Sequence, residues 1–120
     1  MIEPKELITE SILFSANWKE DERRKQYVYL TKTKLYRCEY HENFKSYNCF
    51  HVCLVKDFGD IHLQSHSYVP VGCLDTSCKN CVTISSRYSR NRLAVIDFPT
   101  SEEGAKTAAQ LYVALAKVME

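Results

Sequence analysis

Glycine and proline are scarce in this chain, at three residues each, and tryptophan occurs once. That scarcity excludes collagen-like repeats and low-complexity disorder. No apolar run approaches the roughly eighteen residues of a membrane-crossing helix. An excess of charge of one sign is also missing: sixteen Lys and Arg oppose fifteen Asp and Glu, for a net charge of +1. A general attraction to nucleic acid is therefore not expected, and any anion site must come from local clustering. The opening Met-Ile-Glu-Pro-Lys-Glu-Leu lacks the basic stretch and apolar run of a secretory leader. Ile2 excludes the myristoylation pattern, and no prenylation box ends the sequence. There is no nucleophile elbow, phosphate loop or dinucleotide fingerprint. His41, His51, His62 and His66 have no Ser or Asp partner at a recognisable spacing, so no enzyme is expected.

What is present fits one domain spanning residues 1–120. Hydrophobic residues make up 45% and charged residues 26%, ordinary proportions for a single core. With no leader expected, the six cysteines read as reduced thiols of a cytoplasmic protein. Strands are expected at Ile8 to Trp18, Tyr27 to Leu30, Leu35 to Tyr40, Cys49 to Val55, Ile61 to Leu63, Cys81 to Ser85 and Leu93 to Phe98, on β-branched and aromatic content. Leu35, Arg37 and Glu39 alternate with Tyr36, Cys38 and Tyr40, and Thr31 to Lys34 reads as the tight turn of a hairpin. Phe58-Gly59-Asp60 reads as a turn. Ser65 to Asn80 is the longest irregular stretch.

A helix is expected over about 101–118. Pro99 stops the preceding strand, Thr100 and Glu103 have capping-box spacing, and Glu102 and Glu103 complement the positive end of the helix dipole. Ala105, Ala108, Leu111, Leu115 and Val118 recur at three- and four-residue steps, which marks one buried stripe.

Seven strands followed by one amphipathic helix resembles the order of a pleckstrin-homology (PH) domain. Lys25-Gln26-Tyr27-Val28-Tyr29-Leu30 followed by Leu35-Tyr36 is similar to the family's basic second strand and hairpin. Leu93 to Phe98 running into Thr100-Ser101-Glu102-Glu103 is similar to its last strand and helix start. The resemblance implies an α+β, mostly β fold: a seven-stranded antiparallel, partly open barrel or sandwich capped by the C-terminal helix. The sequence departs from the family at its helix tryptophan, since Ala108 and Ala109 stand there and the one Trp is Trp18. Another side chain must then fill that space, or the chain is a PH-like relative such as a phosphotyrosine-binding module.

The resemblance also implies that three turns meet at one end. They would pool Lys19, Arg23, Arg24 and Lys25 from the first, Lys45 with His41 and Phe44 from the second, and Arg87, Arg90 and Arg92 from the third. Arg offers a planar fork and Lys a compact charge to phosphate oxygens. Phe44 would dip into a lipid interface. The expected role is a non-catalytic module at the membrane periphery that binds anionic phospholipid headgroups. Glu20, Asp21 and Glu22 in the first turn oppose that field, and Gln26 stands where a phosphoinositide motif wants Arg. The alternative is a scaffold of the same shape that binds a peptide along the fifth strand or beside the helix. Nucleic acid is not an expected partner, because alternating tyrosines read as half-buried packing.

Cys78-Lys79-Asn80-Cys81 has the form of a metal knuckle, with Cys73 and His62 or His66 as candidates to complete four zinc ligands. No second knuckle pairs with it, and the expectation is that no cofactor is bound. The competing reading makes Cys73 and Cys78 loop thiols and Cys81 a core residue.

Overall fold

The computed structural model describes residues 2–65 and 80–120. The chain divides into two compact units, Met1–Lys56 and Asp57–Glu120. Among the described residues they hold seven antiparallel strands in two sheets and a C-terminal helix, so the fold is mostly β. Among the described residues, no helix is long and apolar enough to cross a membrane.

In the first unit a short helix α1 (Pro4–Leu7) precedes β1 (Phe14–Lys19), β2 (Arg24–Leu30), β3 (Lys34–His41) and β4 (Ser46–Leu54). Spatial order follows chain order, β1-β2-β3-β4, with each neighbour antiparallel. Sequence periodicity did not suggest α1, and β1 begins at Phe14 rather than Ile8. Residues before Phe14 have other partners: Glu10 accepts hydrogen bonds from the hydroxyls of Thr31 (3.2 Å) and Thr33. The Thr31–Lys34 turn works without an Asn-Gly pair because the Thr31 hydroxyl accepts from the Lys34 amide at 3.1 Å.

Alternation fails along β3. Leu35 and Cys38, three residues apart, are both buried. The register slips between Arg37 and Cys38: Arg37 faces His51, while Cys38 faces Cys49 and Phe50 is left over. This is a β-bulge, which no single strand's pattern reveals.

The second unit holds β5 (Phe58–Gln64), β6 (Asn80–Ser86), β7 (Arg92–Phe98) and α2 (Glu102–Val118), with sheet order β5-β6-β7. Phe58-Gly59-Asp60, expected as a turn, lies inside β5, and the chain turns earlier in a 3₁₀ segment at Val55–Asp57. Gly59 serves close approach instead. A Cβ there would stand 2.8 Å from the Ser86 carbonyl oxygen and 2.9 Å from the Arg87 Cα.

Helix α2 contacts all three strands of its sheet. Its buried positions are Gly104, Ala105, Ala108, Leu111 and Leu115, close to the predicted stripe, and Val118 is half-buried. The cap is Ser101, not Thr100: its Oγ accepts from the Gly104 amide at 3.1 Å. The one-residue displacement brings Gly104 against Pro99, where a Cβ would overlap the Pro99 carbonyl. Asn80, fully buried, donates from Nδ2 to the Pro99 carbonyl at 2.8 Å and ties this corner to β6. The core has no tryptophan. Phe58, Phe98, Ile84 and Ile96 provide its bulk beneath the leucines of α2.

Candidate functional site

In the first unit, the antiparallel ladder places two turns side by side. Arg24 of β2 faces His41 of β3, and Lys19 of β1 faces Lys25. The Glu42 amide donates to the Arg23 carbonyl at 2.8 Å and joins the β1–β2 turn to the β3–β4 turn. A cleft of about 410 Å³ opens between them, lined by Asp21, Glu22, Arg23, Arg24, His41 and Asn43. Five of the sequence-predicted basic residues therefore belong to one pair of linked turns: Lys19, Arg23, Arg24, Lys25 and Lys45.

The cations are not equivalent. Asp21 accepts from the Arg23 and Arg24 amides at 2.8 and 3.0 Å, and from Arg24 Nε at 3.1 Å. The Arg23 amide, and then the Arg24 guanidinium, hold the Asp21 carboxyl below the usual carboxylate value. Arg24 is thus paired within its own turn, with Glu20 a further 4.0 Å contact. Lys25 lies 5.7 Å from the Tyr27 ring centre. Lys19, Arg23 and Lys45 have no carboxylate within salt-bridge distance among the described residues.

Gln26 explains part of this arrangement. Its Nε2 donates to Glu20 at 2.7 Å and to Glu39 at 2.9 Å. Glu39 in turn meets His41 Nε2 at 2.6 Å. A carboxylate–amide–carboxylate–imidazole chain therefore lies beside the basic turn, with the Gln26 amide engaged by two acids.

The β3–β4 turn, Glu42 to Lys45, closes with a Lys45 amide to Glu42 carbonyl bond of 3.2 Å. Lys45 sits at φ 48°, the left-handed region that costs a non-glycine residue about 1 kcal/mol or more. Phe44 is 77% exposed, and its ring centre lies 6.2 Å from that of His41.

A tyrosine cluster supports these turns. Tyr40 faces Tyr47 across β3 and β4 with ring centres 4.8 Å apart, and Tyr27 meets Tyr47 edge-on at 5.7 Å. The Tyr47 hydroxyl donates to Glu3 at 3.3 Å. Burial, with Tyr27 and Glu3 adding to it, pushes the Tyr47 hydroxyl's ionisation upward.

Arg87, Arg90 and Arg92 lie in the second unit, at the β6–β7 turn, with Tyr88 74% exposed between them. That turn is closed by a Ser86 amide to Asn91 carbonyl bond at 2.9 Å and a Tyr88 amide to Ser86 hydroxyl bond at 3.1 Å.

Among the proposed zinc ligands, Cys73, Cys78 and the alternative His66 lie outside the described residues. His62 on β5 is exposed and faces Thr83, while Cys81 on β6 faces Gln64. Among the described residues, no group of three or more His, Cys, Asp or Glu side chains is placed to hold a metal.

Two features were missed in the sequence. Cys38 and Cys49 form a disulfide, so the expectation of six reduced thiols fails at this pair. The two cysteines face each other because the turn falls at Glu42–Lys45, a register that β3 and β4 set together. Cys53 is buried, with its Sγ 3.3 Å from His51 Nε2. Burial, then the nearby Arg37, lowers the His51 value.

No protein-family model, no curated protein and no solved structure matches this chain.

Proposed function

We propose that the chain is a PH-like, non-catalytic module that adsorbs to anionic phospholipid surfaces through the linked β1–β2 and β3–β4 turns. The carrying observation is the joining of Lys19, Arg23 and Lys45, none held by a carboxylate among the described residues, to an exposed Phe44 at one end of the first sheet. Each cation near an anionic leaflet contributes about 1 kcal/mol, and an aromatic ring adds interfacial depth. The four-plus-three strand order and C-terminal helix support the PH-like reading. The pairing of Arg24 with Asp21 and the engagement of Gln26 by two carboxylates favour weak, salt-sensitive adsorption over a stereospecific headgroup pocket.

Sedimentation with phosphatidylserine-containing vesicles tests this. Arg23→Glu and Lys45→Glu are expected to abolish co-sedimentation at low salt, and Phe44→Ser to weaken it. Wild-type protein that stays in the supernatant at low salt ends the proposal.

One observation favours a protein-binding scaffold as the second reading. Among the described residues, strand β4 ends its sheet and carries exposed Phe50, Val52 and Leu54. An extended peptide adds to such an edge. Loss of partner capture in Val52→Lys, with vesicle binding absent throughout, would decide for it.

A further inference from the structure

We infer that the Cys38–Cys49 bridge is a thiol-exchange site, through which a dithiol reductant loosens the β3–β4 turn. The two halves of the bridge differ in access. Cys38 is fully buried, whereas Cys49 is exposed on β4. Among the described residues β4 has one strand neighbour, β3. Between the bridge and the turn lie only three strand pairs, Glu39 with Asn48, Tyr40 with Tyr47 and His41 with Ser46. On the far side of the bridge, the bulge at Phe50 interrupts the ladder. The turn itself includes Lys45 in the left-handed region, a local cost that surrounding structure must offset. The covalent link is therefore the firmest tie on the Ser46–Asn48 end of β4.

The chemistry is ordinary exchange. A thiolate of the reductant attacks Sγ of Cys49, the sulfur–sulfur bond breaks, and the electron pair leaves on Sγ of Cys38, which takes a proton. The reductant's second thiol then attacks its own sulfur in the mixed disulfide and expels the Cys49 thiolate, which is protonated. The reductant loses two electrons and two protons and becomes a disulfide, and the protein gains two thiols. Strand β3 keeps its partner β2 throughout, so the effect falls on Ser46–Asn48 and the turn that carries Phe44 and Lys45.

The test uses the full chain purified without reductant. Glutathione is added under native conditions, thiols are trapped by acid and alkylation, and the adduct is located by peptide mass. The adduct is expected on Cys49. With dithiothreitol the bridge should open at a rate proportional to reductant. Amide exchange over residues 42–48 should then rise about tenfold or more, while residues 80–98 stay protected. Cys49→Ser should show the same fast exchange with no reductant present. The inference is overturned by an adduct on Cys38, by opening that requires denaturant, or by exchange rising equally in residues 80–98. It is overturned equally if Cys49→Ser exchanges as slowly as the bridged protein, or if Cys38 and Cys49 are both found as thiols in the purified chain.

Discussion

The second unit buries an apolar set under a seventeen-residue helix, whereas the first unit, beside its own buried Val28, Leu30 and Leu35, links its turns and strands by a backbone bond, side-chain hydrogen bonds and a disulfide. In the second, Leu111, Leu115, Ile84, Ile96, Phe58 and Phe98 are all nearly or fully buried, and its one fully buried side-chain amide, Asn80, is spent on a backbone corner. In the first, chains such as Glu20–Gln26–Glu39–His41 run across the surface. Burial is non-directional and scales with area, so it gives stability and little chemistry. Exposed charge and strained turns contribute little stability but leave groups available to a ligand. The proposed lipid contacts thus all belong to the first unit, whose own core includes Val28, Tyr29, Leu30 and Leu35, while the second unit buries the larger apolar side chains.

The sharpest break of that contrast lies in the second unit's core. Leu111→Ala is expected to cost about 2–5 kcal/mol, from lost transfer energy and the cavity left behind. Gly104→Ala should cost about 3 kcal/mol, because the new Cβ meets the fixed Pro99 backbone. Urea midpoints measure both, and a Gly104→Ala midpoint equal to wild type would show that the helix start is not seated on Pro99.

Alkaline pH comes next and addresses the first unit. Burial, followed by Tyr27 and Glu3, pushes the Tyr29 hydroxyl up to about 12 from 10.0. A raised folded value means that its contribution is complete below pH 10 and is lost as pH climbs toward 12. Tyrosinate absorbance should show Tyr29 ionising with loss of structure in residues 14–54. Titration of all eight tyrosines near the ordinary value would contradict its burial.

Smaller effects sharpen the comparison. Lys45→Gly should stabilise by about 1 kcal/mol by relieving the left-handed backbone, while Lys45→Ala should not. The two variants lose the same charge, so equal losses of vesicle binding with unequal stabilities would separate strain from electrostatics. Smallest in stability is Asp21→Asn, which keeps an acceptor for the turn amides but releases Arg24. It should tighten vesicle binding about fivefold, one cation's worth. Unchanged binding would mean that Arg24 does not face the lipid.

The strand order was legible because β-branched and aromatic runs are local signals, and the buried face of α2 because Ala105, Ala108, Leu111 and Leu115 repeat at helical spacing. Register was not. The bulge at Phe50 and the Cys38–Cys49 bridge depend on how β3 meets β4, which no window on one strand contains. The start of β5 was misplaced because Gly59 was read as a turn residue when its role is close packing on Ser86 and Arg87. At the candidate site, the residues of the linked turns were legible as charge clusters. Their unequal availability was not, because it depends on Asp21 folding back onto the Arg23 and Arg24 amides.

In both sheets, neighbours in space are neighbours in sequence. As the chain leaves the ribosome, the first sheet can therefore close one hairpin after another, with every pairing partner already synthesised. The second sheet is in a different position. Its last strand is complete at Phe98, but the cover of Leu111 and Leu115 reaches its apolar face only once α2 has also been made.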